Sequence, residues 1–191
     1  MILLFSVLVG LAVGVFHAYL KKQSYQAPDL RFSWLAILAF LPQYLAFYLP
    51  ASRNGMPDSL VSVLLVASQV LLLVFAYLNR HLVGMWLLIG GLVLNLAVIS
   101  LNGGLMPISP KTVSRLVPES VALSMPLNQR VNKGKDILLL PDDTHLAILS
   151  DRFITPQWSP FRAAFSLGDV LIAAGAFGLL VAQPSYQKKD V

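Results

Sequence analysis

Apolar residues gather along this chain into five runs, separated by short polar links and one long polar stretch. The first run, Met1 to Leu20, carries no charge. At 1.5 Å per residue it reaches about 30 Å, the thickness of a bilayer's hydrocarbon core. Lys21 and Lys22 follow it and no basic residue precedes it, the reverse of a cleaved signal peptide, so it is expected to stay as a helix. Gly10 and Gly14 form a small-residue pair on it that lets a second helix approach. The second run, Ser33 to Leu49, is interrupted by Pro42. A kink is expected there, with a neighbouring helix serving the carbonyl that proline leaves free. Asn54-Gly55 and Pro57 make a turn, and Asp58 or Ser59 is placed to cap a third span, Leu60 to Leu78. The fourth, Leu82 to Leu101, follows the tight connection Asn79-Arg80-His81. The fifth, Leu167 to Gln183, ends at Pro184 before a Lys188-Lys189 tail.

The long stretch between the fourth and fifth runs is patterned. Asn102-Gly103-Gly104-Leu105-Met106-Pro107 is a turn-rich exit from the fourth helix. Ser109-Pro110 reads as an N-cap and first helical position for a short helix to about Val117, and Pro118-Glu119 opens another. Val113, Leu116, Val117, Val121 and Leu123 give these helices an apolar side, expected to lie on the membrane surface. The apolar runs 137–140 and 145–149 flank Pro141-Asp142-Asp143-Thr144, a turn signal, and predict a β-hairpin that delivers the chain to Asp151. Trp158, Phe161 and Phe165 mark an interfacial belt before the last span.

Composition supports the same picture. The chain is 57% hydrophobic and 12% charged over 191 residues, where soluble domains average about 25% charged. The net charge of +5 does not signal nucleic acid, because the basic residues sit beside apolar spans instead of forming a stripe with interleaved aromatics. They set orientation instead: Lys21, Lys22, Arg31, Arg80, Lys188 and Lys189 fall at one end of the spans. The expected protein is an α-helical polytopic membrane protein of the bacterial inner (plasma) membrane. It has five transmembrane helices, its amino terminus outside and its carboxyl terminus in the cytoplasm. Residues 1–101 form a four-helix transmembrane region and 102–166 an extracytoplasmic cap of short helices and a β-hairpin. Residues 167–191 form the fifth helix and a cytoplasmic tail. Cysteine is absent, which excludes disulfides and thiolate chemistry.

The candidate chemistry lies in two acids that bracket the return from the cap. Asp169 stands at the head of the fifth span, either as a desolvated acid or as a first-turn acid favoured by the helix dipole. Asp151 lies 18 positions earlier. If the segment between them folds back, the carboxyls meet and share a proton, one activating water while the other protonates a leaving group. Arg152 is the competing salt-bridge partner. Asn102, Gly103, Gly104, His145 and Arg152 are the candidate substrate- or partner-binding residues. His145 stands near Asp142 and Asp143, yet those acids are better used as turn caps, so no metal is assigned, and no cofactor. Gln43, Gln69 and Asn95 are read as hydrogen-bonding glue between helices.

Asp151-Arg152 and Phe165-Ser166-Leu167-Gly168-Asp169 resemble the carboxy-terminal catalytic motifs of the lipoprotein signal peptidases, membrane aspartyl peptidases acting on lipidated precursors. Both asparagines that accompany the acids in that family are missing here. The second half as a whole is similar to a family of small uncharacterised bacterial polytopic membrane proteins. The similarity is carried by Asn102 to Pro107, His145, Ser150-Asp151 and Phe165 to Ile172. Two functions follow as expectations. One is a non-catalytic accessory or scaffold subunit, embedded in the lipid bilayer and binding a membrane protein through its outer loop. The other is an aspartyl hydrolase that uses Asp151 and Asp169 on a lipid-linked peptide.

Overall fold

A computed structural model of the chain describes residues 2–49, 55–157, 159 and 162–182, apart from the side chain of residue 119. The belt residues Trp158 and Phe161, the turn residue Asn54, Pro184 and the Lys188-Lys189 tail lie outside the described residues. Five apolar helices stand where the five runs predict them: α1 (Ile2–Leu20), α2 (Ser33–Phe47), α3 (Asp58–Leu78), α4 (Val83–Leu101) and, after the cap, α7 (Leu167–Val181). Three of them, α1, α3 and α4, are long and apolar enough to cross a membrane, while α2 and α7 are shorter apolar helices of 15 residues each.

The helices pack in series, α1 on α7, α7 on α4, α4 on α3 and α3 on α2. Small residues set the first two contacts. Gly10 faces the Phe177 backbone and Gly14 the Leu180 carbonyl, so α1 and α7 run parallel, and Ser6 Oγ donates to Ala173 O at 2.5 Å. On α4, Gly84 meets Gly175 and Gly91 meets Gly168, an antiparallel crossing of backbone on backbone. The α2–α3 contact is polar at its middle: Gln43 Nε2 donates to Ser68 Oγ, and Ser68 Oγ donates to Ala39 O, both at 2.6 Å. The latter bond lies in the turn ahead of Pro42, although the carbonyl that the proline itself leaves without an N–H is that of Leu38. These contacts alternate the direction of successive helices. Lys21, Lys22, Arg31 and Arg80 therefore collect at one end and the cap at the other.

Each end is closed by an asparagine. At the basic end, buried Asn79 accepts from Arg31 N (2.7 Å) and donates to Arg31 O (2.9 Å), tying the loop after α1 to the end of α3. At the cap end, Asn102 accepts from His145 N (3.0 Å) and donates to His145 O (2.9 Å). Gly103 and Gly104 have φ of 74° and 81°, the left-handed region that glycine occupies at no steric cost. Gly104 also lies against Ser62 on α3, where a Cβ would stand 2.6 Å from the serine Cβ.

The cap differs from the expected hairpin. β2 (Asp136–Leu138) does form in the first apolar run, but it pairs in parallel with β1 (Met106–Ile108), Met106 opposite Asp136. Residues 141–143 and 147–149 are single 3₁₀ turns rather than a hairpin's loop and second strand. The apolar residues of 145–149 do not alternate about a sheet, and Leu146 takes φ of 54°. Asn102 holds the His145 backbone groups that a strand would use. The true antiparallel ribbon is the next one, β3 (Phe153–Ile154) with β4 (Ala164–Phe165), closed by Phe153 and Phe165 stacking at 5.7 Å.

The short helices α5 (Pro110–Val113) and α6 (Glu119–Ser124) form at the predicted starts, with Ser109 Oγ accepting from Thr112 N at 3.2 Å, but α5 ends at Val113 instead of reaching Val117. Their apolar side is largely used within the cap, where it was expected to lie on the membrane surface. Val113 packs with Ile108 and Leu138, joined by Leu116, Val117, Ala122 and Met125, in a small core of the cap itself. Leu123 and Val121 remain exposed. Asp58 does not cap α3; its carboxylate takes the Arg130 guanidinium at 2.6 Å and fastens the cap to the head of that helix.

Candidate functional site

Between the helices and the cap lies a partly open cavity of about 510 Å³, within the range that small ligands occupy, with the exposed side chains of Leu4, Phe40 and Tyr48 in its wall. Its wall is mostly apolar, with Phe40, Leu65, Leu72, Leu92 and Ile172 among the side chains that form it. Polar groups are concentrated toward the cap: Asn95 on α4, Asp169 on α7 and Lys135 from the cap strand's approach, with Gln43 and Gln69 on α2 and α3. Gln43 is spent on Ser68, but Gln69 Oε1 is buried and accepts no hydrogen bond.

Asp169 is held as a first-turn acid. Ser166 is the N-cap of α7; its hydroxyl accepts from Asp169 N at 3.1 Å, and Asp169 Oδ2 accepts from Ser166 N at 3.0 Å, a reciprocal capping box. Asn95 Nδ2 donates to Asp169 Oδ1 at 2.9 Å, and Asn95 Oδ1 accepts from Ser166 Oγ at 2.9 Å. Asn95 thus fixes the helix head while α4 passes Gly168 closely enough that neither chain tolerates a Cβ there.

Asp151 is fully buried, and its partner is Lys135, 16 residues back in the chain, rather than Arg152. Lys135 Nζ donates to Asp151 Oδ2 at 2.6 Å and stands 3.3 Å from Asp136 Oδ1. β1 makes this meeting possible. On one side it pairs with β2, bringing Asp136 opposite Met106; on the other, Asp151 bridges to Ile108 and its N–H donates to Pro107 O at 3.1 Å. Asp151 Oδ1 is left without a hydrogen bond. Burial pushes the Asp151 carboxyl up to about 7; the Lys135 ammonium opposes this, while Asp136 and Asp169 add to it. Desolvation pulls the Lys135 ammonium down, but the three carboxylates around it outweigh that and leave it raised.

The predicted pair therefore comes into one electrostatic cluster without a hydrogen bond between its members. The β3–β4 ribbon folds the chain back between the two acids, but Lys135 holds Asp151, and Asn95 with the Ser166 backbone holds Asp169. Of the other candidates, Asn102, Gly103 and Gly104 terminate α4, and His145 contributes its backbone to Asn102. Arg152 is exposed on the far side of the 150–152 segment, its guanidinium 5.9 Å from the Phe153 ring. No cluster of His, Cys, Asp and Glu able to hold a metal exists among the described residues. Lys135 is the residue that sequence reasoning missed. Its only signal is a cation in a loop beside an acid, which many exposed turns also contain.

Fold and site together define a helical membrane protein with a buried charged cluster at the capped end of an apolar cavity. Residues 28–181 match a family of unknown function, DUF5317, and the chain belongs to that family. No curated protein and no solved structure matches it.

Proposed function

We propose that the chain is a non-catalytic accessory or scaffold protein of the bacterial inner membrane. It spans the bilayer five times, and its helix-lined cavity receives the apolar part of a membrane partner while the outer cap holds the partner's polar end. The observation that carries this reading is the cavity itself. It combines a long apolar wall with polar groups gathered at one end, the distribution that an amphiphile needs. Lys135, paired with Asp151, and Asp169, held by Asn95, make that end polar, and unpaired Gln69 Oε1 is ready to accept a hydrogen bond deeper in. The basic residues at the opposite end support a cytoplasmic position for that end.

Native mass spectrometry of the protein, gently released from its own membrane, tests this. The expected result is a stoichiometric adduct with the mass of a lipid or lipidated peptide. Leu72→Trp fills the cavity and should remove it, while Leu87→Trp, on an exposed helix face, should not. An adduct indifferent to Leu72→Trp would refute the reading. A reporter fused at the carboxyl terminus that proved external would refute the orientation.

The hydrolase reading, with Asp151 and Asp169 as a pair, is supported by one observation. Burial raises the Asp151 carboxyl to about 7, where a group exchanges protons at neutral pH. It requires cleavage of a lipidated peptide that Asp169→Asn abolishes in a folded protein. No cleavage by the unsubstituted protein would dismiss it.

A further inference from the structure

The segment 150–152 lies between the helix-lined cavity and a second concavity in the cap. Asp151 turns to Lys135 on one side, whereas Ser150 and Arg152 line the other. This outer pocket has a volume of about 410 Å³, and three cations line it: Lys111 and Arg115 from α5 and the turn after it, and Arg152. No carboxylate is part of its wall. None of the three makes an ion pair among the described residues. A fourth cation is close, since Arg162 Nη2 donates to Arg115 O at 2.7 Å. Asp142 and Asp143, in the turn whose ends Pro141 and Thr144 reach the wall, are exposed and do not line it.

Three cations lining one pocket with no carboxylate in its wall give it a positive potential, which favours an anion there. The groups present also select the anion. Two guanidinium forks and an ammonium match the several acceptor oxygens of a tetrahedral phosphate better than they match a single carboxylate. Ser109 and Thr112 bring hydroxyls to the same wall, 3.0 Å from each other. Apolar residues lie alongside: Ile148 is part of the wall and 62% exposed, and Leu146 two residues earlier is also exposed.

We propose that this pocket binds the phosphate group of an anionic ligand, with Arg115 and Arg152 as the forks and Lys111 as the third charge. The phosphate has two sources, the headgroup of a membrane lipid or a free phosphate compound. The site shares no lining residue with the helix-lined cavity and does not depend on what that cavity holds.

Full-length protein in neutral detergent is titrated with inorganic pyrophosphate by calorimetry. The same protein in phosphatidylcholine nanodiscs, with and without phosphatidylglycerol, is then released and its retained lipid read by native mass spectrometry. Arg115→Gln with Arg152→Gln should weaken whichever ligand binds by about tenfold or more, the scale of losing charge-assisted hydrogen bonds. Lys111→Gln should weaken it less. Lys21→Gln with Lys22→Gln removes the same charge at the far end and should change nothing. Sensitivity of pyrophosphate binding assigns a free phosphate compound, and sensitivity of phosphatidylglycerol retention assigns a lipid headgroup. Failure of both ligands to bind overturns the proposal. So does binding that the Arg115/Arg152 and Lys21/Lys22 variants weaken equally. Thermal melting of each variant separates lost binding from lost folding; if the double variant unfolds, Lys111→Gln alone decides.

Discussion

The α4–α7 crossing can be tested by the smallest possible side chain. A Cβ placed on Gly175 would lie 2.6 Å from Gly84 O and 2.9 Å from Leu88 N, both backbone atoms of α4. Ordinary van der Waals contact for a Cβ begins near 3.4 Å, so the two helices must part by about 0.8 Å. That separation is transmitted seven residues along to the Gly91–Gly168 contact, where Asn95 secures Ser166 and Asp169. Overpacking of this kind costs about 1–3 kcal/mol, against which alanine's better helix propensity returns at most about 1 kcal/mol. Gly175→Ala should therefore destabilise the protein by up to about 2 kcal/mol. Gly178, three residues on, has nothing within 4 Å of its would-be Cβ, so Gly178→Ala keeps the propensity gain alone and should stabilise slightly. Thermal unfolding in one detergent, followed by far-ultraviolet circular dichroism, compares them. Gly84→Ala with Gly175→Ala should cost less than the sum of the two single changes, because a helix pair already parted admits the second methyl freely. Equal melting temperatures for Gly175→Ala and Gly178→Ala would show that the helices do not cross so closely.

Three further outcomes follow from the charged cluster. Lys135→Met strands a buried carboxylate and should cost about 2–3 kcal/mol at pH 8, below the usual figure for a buried pair because Lys135 is 37% accessible; adding Asp151→Leu should recover most of it in chemical unfolding. The Asp151 carboxyl is raised from 3.8 to about 7, so between those values the folded chain holds a proton that the unfolded chain has released. Its contribution to stability is complete below the lower value and lost as pH rises through the upper one, and Asp151→Asn should flatten that slope in melts from pH 4 to 8. Asn95→Leu leaves Ser166 Oγ and Asp169 Oδ1 each short of a partner and should cost about 2–3 kcal/mol, with the head of α7 losing amide-exchange protection before the rest of the helix.

Which parts of this protein a reader of its sequence recovers depends on how local their causes are. The apolar runs locate all five long helices within two or three residues, because a run of apolar side chains bounded by Pro, Gly and charge is information held within the segment itself. Ser109-Pro110 is legible for the same reason, since a helix cap involves residues only three apart, and so is Asp169 as a first-turn acid, although the Ser166 cap it pairs with was not read. The hairpin over residues 137–149 is the instructive failure. Both apolar stretches and the turn between them are present, yet β2 takes β1 as its partner from across the helix α4 exit, because strand pairing is decided by what else is near. Gly10 and Gly14 were legible as a contact surface but not their partner, and the seven-residue spacing shared by Gly84–Gly91 and Gly168–Gly175 becomes informative only when the two helices are seen side by side.

By itself, then, the sequence determined that this chain makes apolar helices, where each begins and ends, and that polar groups collect in a segment between the last two. Composition and periodicity are properties of contiguous residues and need no partner to be read. The tertiary structure alone decided that Lys135 neutralises Asp151, that Asn95 holds Asp169, and that Arg152 faces away from both toward Lys111 and Arg115. Those assignments depend on β1 standing between β2 and the Asp151 segment, and on two helices meeting at glycine. A charge in a sequence has many possible counterions; the backbone path chooses among them.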